Sequence, residues 1–433
     1  MKIEDVFGVS GKQVASYLER ENVDSRFIDA LRTDKQIIVY GASKQGKTAL
    51  VKKYINYDDN ILISLSPKTE LKDIYQSILR KSGVILRTSY SEGTGDKSKV
   101  STKATIKGAV AMVLKGEVNL GYDKEKSKNI SEQYDEIEFN LQLPDDVADL
   151  IHRVGNKKIV ILENFHYLPE ELQRSFAFDL RTFQDLRIRF IILGVWKEAN
   201  RLAQFNGELL DRVSEIPVEP WSEDDFRLIC RKGESILNIT FSSVILNECI
   251  ENAFSSVGVF QELLKNTCIE NGVNNKKTEN FFIDDIKAFK RAIVLKTEEY
   301  SGRHYRNLES IASGNGSSIA KDAPLPYFLH YYIVMHILKL GFHGVNGGIS
   351  KENLLHSIKQ IHHRRDELKG SQLIFVLKGL AELQANKGIN PPVIAYDSNS
   401  RQLKIVDSTL YFFLKNADLE EIKSEIICPM DGF

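Results

Sequence analysis

One short stretch near the amino terminus limits what this chain can fold into. Residues 36–51 read QIIVYGASKQGKTALV, an apolar strand pattern followed by Gly41, four further residues, Gly46, Lys47 and Thr48, and then a helical pattern. A G-x-x-x-x-G-K-T motif between a strand and a helix predicts a phosphate-binding loop. The glycines let successive N–H groups face a phosphate, and the helix that begins near Gly46 points its positive end at the same place. The alternative is a glycine turn that happens to precede a lysine, and the strand-to-helix context disfavours it.

The side chains of this loop have distinct predicted roles. Lys47 should reach the β- and γ-phosphates of a bound ATP, and Thr48 should ligate Mg²⁺. The residues that we expect to contact the nucleotide are Gly41, Ser43, Lys44, Gln45, Gly46, Lys47 and Thr48.

A second stretch supplies the expected metal-binding acid. Residues 157–168 read KKIVILENFHYL, and their apolar run ends on Glu163. A run of this kind is typical of a parallel strand covered on both faces, and ligands bind at the carboxyl ends of such strands. Glu163 is therefore the predicted second Mg²⁺ ligand beside Thr48.

The residue after this acid predicts slow catalysis. Many ATPases carry an acid there that polarises the attacking water, but this chain has Asn164. An amide can orient a water but cannot accept its proton, so general-base help is lost at this position. His166 is the nearest alternative base, although a histidine that packs under the sheet is the simpler interpretation.

Composition narrows the class of protein. A chain of 433 residues is too long for one core, so two or three domains are expected. The net charge of -1 means that any nucleic-acid surface must be a local patch. The four cysteines are scattered without a CxxC spacing, which fits a reducing cytosol better than a zinc site or a disulfide framework. We find no signal peptide and no apolar run long enough to span a bilayer, so a cytoplasmic protein that does not bind membranes is expected.

The pattern of elements predicts several parts. Residues 104–123 alternate partly around Lys115-Gly116 and predict a β-hairpin, within a polar block that interrupts the alternation of strands and helices. In the tail, three helical patterns precede two short strands, which is the order of a winged-helix domain. The predicted parts are a nucleotide-binding core at 1–220 with an insertion at 84–145, a helical lid at 221–300, a linker rich in Gly and Ser at 301–325, and a winged-helix domain at 326–433.

Taken together, these motifs resemble those of the AAA+ and STAND ATPases, and within them the origin-recognition-like branch and its bacterial relatives. The resemblance covers residues 15–300 well and the tail more loosely. It implies an α/β P-loop NTPase fold with an ASCE-type parallel sheet, a helical lid and a C-terminal winged helix. It also implies that Arg212, in the segment GELLDR, acts on the γ-phosphate held by a neighbouring subunit, so that the protein forms a homo-oligomer.

The lid departs from the pattern of this family. Many members carry an arginine after a Gly-x-Pro pattern, whereas the matching segment here is VGVFQELL, with Val259, Phe260 and Gln261 and no arginine. Together with Asn164, this departure predicts an ATPase that turns over slowly.

Three functions remain open from the sequence. The first is an ATP-dependent molecular switch that oligomerises and controls a separate effector protein, as STAND members do, several of them in bacterial phage defence. The second is an ATPase that engages double-stranded DNA through the winged helix, as an initiator, a loader or a transposition regulator. The third, a metabolic kinase, fits the lid and the winged helix poorly.

The basic residues near the third tail helix bear on the choice between the first two functions. That helix offers Lys378 and little else that is basic, and DNA binding needs several phosphate contacts. The other basic residues of this region are His362, His363, Arg364, Arg365, Arg401 and Lys404.

Overall fold

The structure is a computed structural model that describes residues 1–11, 13–88, 107–111, 134–138, 140–196, 199–315, 325–398 and 400–430. Backbone contacts divide the chain into two units. The first unit combines Met1–Glu19, Gly41–Ala49 and Val218–Phe433, and the second combines Arg20–Tyr40 and Leu50–Pro217.

The strands of the described chain fall into four sheets. In chain order they are β1 (Gln36–Tyr40), β2 (Ile61–Ser64), β3 (Ile85–Thr88), β4 (Lys107–Ala111), β5 (Tyr134–Glu138), β6 (Val160–Glu163), β7 (Phe190–Gly194), β8 (Val213–Pro217), β9 (Ile239–Phe241), β10 (Phe281–Ile283), β11 (Ile349–Ser350), β12 (Ile394–Asp397) and β13 (Gln402–Ile405).

The α-helices alternate with the first strands and then dominate the chain. In chain order they are α1 (Arg26–Leu31), α2 (Lys47–Tyr54), α3 (Leu71–Ser82), α4 (Pro144–Arg153), α5 (Glu170–Asp185), α6 (Arg201–Phe205), α7 (Glu223–Leu237), α8 (Ser243–Glu251), α9 (Val257–Glu270), α10 (Ile286–Ala312), α11 (Leu329–Val345), α12 (Lys351–Ile361), α13 (Gly370–Lys378), α14 (Leu380–Asn386), α15 (Ser408–Asn416) and α16 (Leu419–Glu425).

A five-stranded parallel sheet with the order β2-β6-β7-β1-β8 forms the centre of the second unit. β1 and β7 are buried over their whole length, which is why both read as nearly continuous apolar runs in the sequence. β7 separates the strand that leads into the phosphate-binding loop from the strand that ends on the acid. The predicted α/β P-loop NTPase fold is confirmed.

Helices cover this sheet with apolar faces at helical spacing. α3 buries Ile74, Ile78 and Leu79, and α5 buries Leu180 and Phe183, all in one core with the strands. A separate antiparallel sheet follows α3, in which β4 pairs with both β3 and β5. Most of the predicted hairpin at 104–123 lies outside the described residues, and so does most of the block at 84–145 that was predicted to be an insertion.

The first unit contains a helical core built mainly from α7, α8 and α9. The amino-terminal segment is part of it, since Phe7 is fully buried there and a side chain at Gly233 of α7 would lie 2.0 Å from its ring. This finding corrects the predicted core range of 1–220, because Met1–Glu19 contacts the residues after Val218. Sequence periodicity could not show this packing, since it depends on contacts far apart in the chain.

A second core of the first unit lies in the carboxyl-terminal part. It packs α11 to α15 around a three-stranded antiparallel sheet with the order β11-β13-β12. The third helix of the predicted trio is divided at Gly379 into α13 and α14. No helix among the described residues combines the length and the apolar character that a membrane span requires.

The predicted linker at 301–325 needs correction. α10 runs without interruption to Ala312, so residues 301–312 are helical. His304, Leu308 and Ile311 lie at helical spacing and are fully buried. Burial of this face outweighs the low helix propensity of Ser301, Gly302 and Ser310 in the same segment.

Candidate nucleotide-binding site

The loop Gly41–Thr48 connects β1 to α2 and has the curled backbone that its glycines allow. Gly41 has φ of 149° and Gly46 has φ of 89°, values that favour glycine. Lys44 is also left-handed, with φ of 62°, although it is not a glycine. A non-glycine residue in this region is uncommon and marks a backbone held by its surroundings.

Lys47 is turned onto the carbonyl groups of its own loop. Its Nζ donates to the carbonyl oxygens of Gly41 at 2.9 Å and Ala42 at 2.6 Å. Burial lowers the pKa of Lys47 to about 8, and the carboxylate of Glu219 opposes this shift. The ammonium group is thus bonded to neutral oxygens, which suits a site where an anionic phosphate would be a stronger partner. Ser43 and Thr48 of the same loop are exposed.

Glu219 contacts the phosphate-binding loop, although the sequence motifs did not predict it. Its Oε2 accepts the N–H of Ala42 at 2.9 Å. The segment before it packs closely on the loop, because a Cβ on Gly41 would lie 2.7 Å from Cγ2 of Val218. The only sequence signal was an acid two residues past the end of β8, the strand that pairs with β1.

The loop also packs against the first turn of α9. Gln45 is buried, and its Oε1 accepts the N–H of Val257 at 3.3 Å. A Cβ on Gly258 would lie 2.5 Å from Cβ of Lys44 and 2.7 Å from its carbonyl oxygen. This contact lies in the VGVFQELL segment, where Val259, Phe260 and Gln261 are buried.

The side chain of Lys44 reaches α10. Its Nζ lies 5.2 Å from the centre of the Tyr300 ring, and Nζ of Lys296 lies 4.7 Å from the same ring. Lys296 is buried and pairs with Glu262 at 3.1 Å and Glu299 at 2.7 Å. Burial and then the charge of Lys296 lower the pKa of Lys44. Two cations therefore share one aromatic ring beside the phosphate-binding loop.

Glu163 occupies the predicted place at the carboxyl end of β6, in the second unit. Its Oε1 accepts the hydroxyl hydrogen bond of Tyr57 at 3.2 Å. Burial raises the pKa of Tyr57, and the charge of Glu163 raises it further. Tyr57 is thus a hydrogen-bond donor that orients this carboxylate, and no local sequence motif marks it.

Asn164 follows in the left-handed conformation, with φ of 62°, and begins a short 3₁₀ turn at Phe165–Tyr167. Asparagine is one of the few residues that adopt this conformation readily. His166 lies in the turn, with its ring centre 4.4 Å from that of Tyr167. The role of His166 stays a prediction.

Arg212 lies in the turn just before β8. Its side chain is 32% exposed and pairs with Asp185 at the end of α5. It stands at the amino end of β8, whereas ligands bind at the carboxyl ends of such strands. The action of Arg212 on a neighbouring subunit stays a prediction.

The donor set fits ATP with Mg²⁺. The described loop residues offer a lysine ammonium, backbone N–H groups and a threonine hydroxyl. No group of three or more His, Cys, Asp or Glu side chains among the described residues could hold a metal ion. Mg²⁺ with a nucleotide does not need such a group, because it binds through one or two protein oxygens together with phosphates and water.

No protein-family model matches the chain, and no curated protein matches it in sequence. Several solved structures are similar in fold. The Walker-type ATPase PABY2304 of Pyrococcus abyssi is 15% identical, with 92% of this chain and 96% of that chain covered and a TM-score of 0.48. The Orc1 protein of Aeropyrum pernix in complex with DNA is 10% identical (95% and 93% covered, TM-score 0.38), and the RuvB Holliday junction branch migration motor of Thermotoga maritima is 12% identical (93% and 96% covered, TM-score 0.37). At this level of similarity, the functions of these proteins are not transferred to this chain.

Proposed function

We propose that the protein binds ATP with Mg²⁺ through the loop Gly41–Thr48 and uses the nucleotide to switch the arrangement of its lid and carboxyl-terminal helices. In this proposal it is a slow ATPase that oligomerises and controls a separate effector protein. A role in phage defence rests on the family resemblance alone.

The contact between the loop and the lid carries this proposal. Lys44 and Gln45 belong to the motif that should hold phosphates, and the same two residues contact α9 at Val257 and Gly258. Lys44 also lies beside the cation of Lys296. A triphosphate would offer Lys44 a countercharge, so nucleotide binding would compete with the contacts that the loop makes to the lid.

α10 would pass this change to the carboxyl-terminal part. Its 27 residues span about 40 Å. Tyr300 packs edge-on against Phe412 of α15 with ring centres 5.7 Å apart. One turn further on, His304 bonds Thr409 at 2.9 Å, and burial lowers the pKa of His304 to about 4, so it is neutral. The ring that receives Lys44 is therefore in direct contact with α15.

The side chains of the proposed site have separate roles. Lys47 would hold the β- and γ-phosphates, and Thr48 and Glu163 would supply oxygen ligands to Mg²⁺, which neutralises charge on the phosphates when bound. Asn164 would orient the attacking water without accepting its proton. This division predicts tight binding and slow turnover.

The carboxyl-terminal part favours a protein partner over DNA. The solvent face of α13 carries Phe375, which is 81% exposed, and Lys378 is the basic residue of that helix. Much of the basic cluster is occupied internally. His362 bonds the carbonyl of Tyr327 at 2.8 Å, Arg364 bonds the carbonyl of Leu325 at 2.7 Å, and Lys404 pairs with Asp397 at 2.8 Å. Aromatic residues are enriched in protein–protein interfaces, whereas DNA binding needs several available cations.

Calorimetry with ATP and Mg²⁺ tests the nucleotide site. The wild-type protein should bind ATP, and Lys47→Ala should lose most of that binding. Lys290→Ala, which removes an exposed lysine of α10, is the matched control and should bind as the wild type does. Equal ATP affinity in all three proteins would overturn the assignment of the site.

A further inference from the structure

One peptide group of the phosphate-binding loop is held at both of its polar atoms by charged side chains. The carbonyl oxygen of Gly41 accepts from the ammonium of Lys47 at 2.9 Å. The N–H of the same peptide group, which belongs to Ala42, donates to Oε2 of Glu219 at 2.9 Å. Hydrogen bonds to ionised groups are about twice as strong as those between neutral groups. The orientation of this peptide plane is therefore fixed by two charge-assisted bonds.

The position of this peptide matters for the rest of the loop. It is the first peptide of the motif, and the N–H groups that should face the phosphates follow it directly. Gly41 has φ of 149°, a conformation that other residues rarely adopt, so the backbone at this corner has wide freedom when nothing holds it. Rotation about the backbone bonds at this corner would change the direction of the N–H groups that follow.

We propose that Glu219 is a positioning residue for the phosphate-binding loop. Its carboxylate fixes the orientation of the Gly41–Ala42 peptide, so that the later N–H groups converge on the phosphates. The ammonium of Lys47 binds the opposite side of the same peptide. This inference rests on the proposed function, since it concerns the same nucleotide site.

The charge of Glu219 has a second effect that an uncharged acceptor would not provide. Burial lowers the pKa of Lys47, and Glu219 is the charged group that opposes this shift among the described residues. Lys44, the other cation of the loop, is directed towards Tyr300. Without the carboxylate, the pKa of Lys47 would fall below about 8, and a larger share of the protein would carry a neutral lysine at neutral pH.

Two substitutions separate the hydrogen bond from the charge. Glu219→Gln keeps an oxygen that can accept from Ala42 but removes the charge, and Glu219→Ala removes both. Glu223→Ala removes an exposed acid four residues further on and is the matched control. ATP affinity is measured by calorimetry at about pH 6.5 and about pH 8.5, on either side of the pKa of Lys47. The ratio of variant to wild type at each pH cancels the titration of the nucleotide itself.

The expected results differ between the variants. Glu219→Ala should weaken ATP binding about 10- to 100-fold at both pH values, the loss expected for a hydrogen bond to a charged group. Glu219→Gln should stay within about threefold of the wild type at the lower pH and fall further below it at the higher pH, because loss of the carboxylate lowers the pKa of its Lys47. A purely structural role would not produce this pH-dependent ratio.

Other outcomes overturn the inference in distinguishable ways. If the wild type binds ATP and both variants bind it equally well at both pH values, Glu219 does not position the loop, while the proposed function survives. If Glu219→Ala does not fold, Glu219→Gln decides alone. A ratio of its ATP affinity to that of the wild type that is independent of pH would then show that Glu219 does not position the loop. If the wild-type protein itself binds no nucleotide, the proposed function fails and this inference fails with it.

Discussion

At the scale of single residues, the buried charge of Lys47 destabilises the folded protein as long as no phosphate is bound. Its ammonium is bonded to two neutral carbonyl oxygens, and burial lowers its pKa to about 8 from the ordinary 10.5. A cation whose pKa is lowered by folding destabilises the folded state while it is charged. Binding affinity is thus gained at the expense of stability without nucleotide, as is common in functional sites.

This argument predicts a pH-dependent gain from Lys47→Met, which keeps the length of the side chain and removes the charge. Below about pH 8 the folded wild type bears the full cost of the buried charge, and the cost disappears as the pH rises towards about 10.5. Without nucleotide, Lys47→Met should therefore be at least as stable as the wild type at about pH 7, and its advantage should shrink at about pH 9.5. Urea denaturation at both pH values measures this difference in the free energy of unfolding. An advantage that grows with pH would contradict burial as the cause of the lowered pKa.

Asn164 gives a second prediction at this scale. Asn164→Asp introduces a group that can accept the proton of the attacking water, and aspartate also tolerates the left-handed backbone of this position. Turnover of the wild type should lie below about 10 per second, and the variant should gain at least about tenfold with unchanged ATP affinity. Asn200→Asp is the control, because Asn200 is exposed and also left-handed. Phosphate release that is already fast in the wild type would show that another group serves as the base.

At the scale of elements, the first turn of α9 is fitted to the phosphate-binding loop. Gly258 leaves no room for a side chain against Lys44, and Val257 donates to Gln45. The amino-terminal segment contacts the same helix, since Glu262 accepts the N–H of Val9 at 2.7 Å. α9 therefore contacts the loop at one end and the amino-terminal segment one turn later.

Gly258→Ala tests this fit. The added methyl group would lie 2.5 Å from Cβ of Lys44, so the loop or the helix must shift. We expect a loss of about 1–3 kcal/mol in the free energy of unfolding, as for other overpacked sites, together with weaker ATP binding. Gly302→Ala in α10 is the matched control: it meets no atom within 4 Å and should gain about 0.5–1 kcal/mol through helix propensity. Equal behaviour of the two variants would remove the evidence for a tight contact between loop and lid.

The same scale shows what the sequence could predict. The strands of the parallel sheet and the loop were predictable, because their apolar runs and glycine spacing are local signals. The course of α10 through 301–312 was not, because its Gly and Ser residues suggest a linker until the burial of His304, Leu308 and Ile311 is known. The partner of Arg212 was missed for a related reason. Asp185 is 27 residues away, and local spacing says nothing about such pairs.

At the scale of the whole molecule, two helices join the cores of the first unit. Tyr300 of α10 belongs to the core built on α7, α8 and α9, whereas Ile311 of the same helix belongs to the carboxyl-terminal core. Phe412 and Phe413, adjacent in α15, belong to one core each. A movement of the lid against the loop would therefore disturb the carboxyl-terminal part as well, because packed interiors shift as connected bodies.

Assembly is the prediction that belongs to this scale. For Arg212 to act on a neighbour, it must exchange Asp185 for the phosphate of that neighbour. Arg212→Ala should then keep ATP binding but lower both turnover and the ATP-dependent oligomer size, whereas Asp185→Asn should release the arginine and lower neither. Mixtures of Arg212→Ala and Lys47→Ala subunits should recover part of the activity, since each supplies what the other lacks.

The alternative is a surface ion pair with no further role. In that case both Arg212→Ala and Asp185→Asn would cost at most about 1 kcal/mol of stability and leave turnover unchanged. Size-exclusion profiles that stay monomeric with ATP, together with mixtures that recover nothing, would remove the support for assembly through this residue.

Hydrogen exchange with and without ATP and Mg²⁺ shows whether the loop moves the lid. A ligand that binds without a switch stabilises the folded protein and can only slow exchange. A switch should instead release the N–H of Val257 from Gln45, so this amide should exchange at least about tenfold faster with nucleotide while the loop itself becomes more protected. Lys47→Met should show neither effect. If exchange at Val257 and around Tyr300 stays unchanged or slows while Gly41–Thr48 is protected, the protein binds its nucleotide without switching the lid.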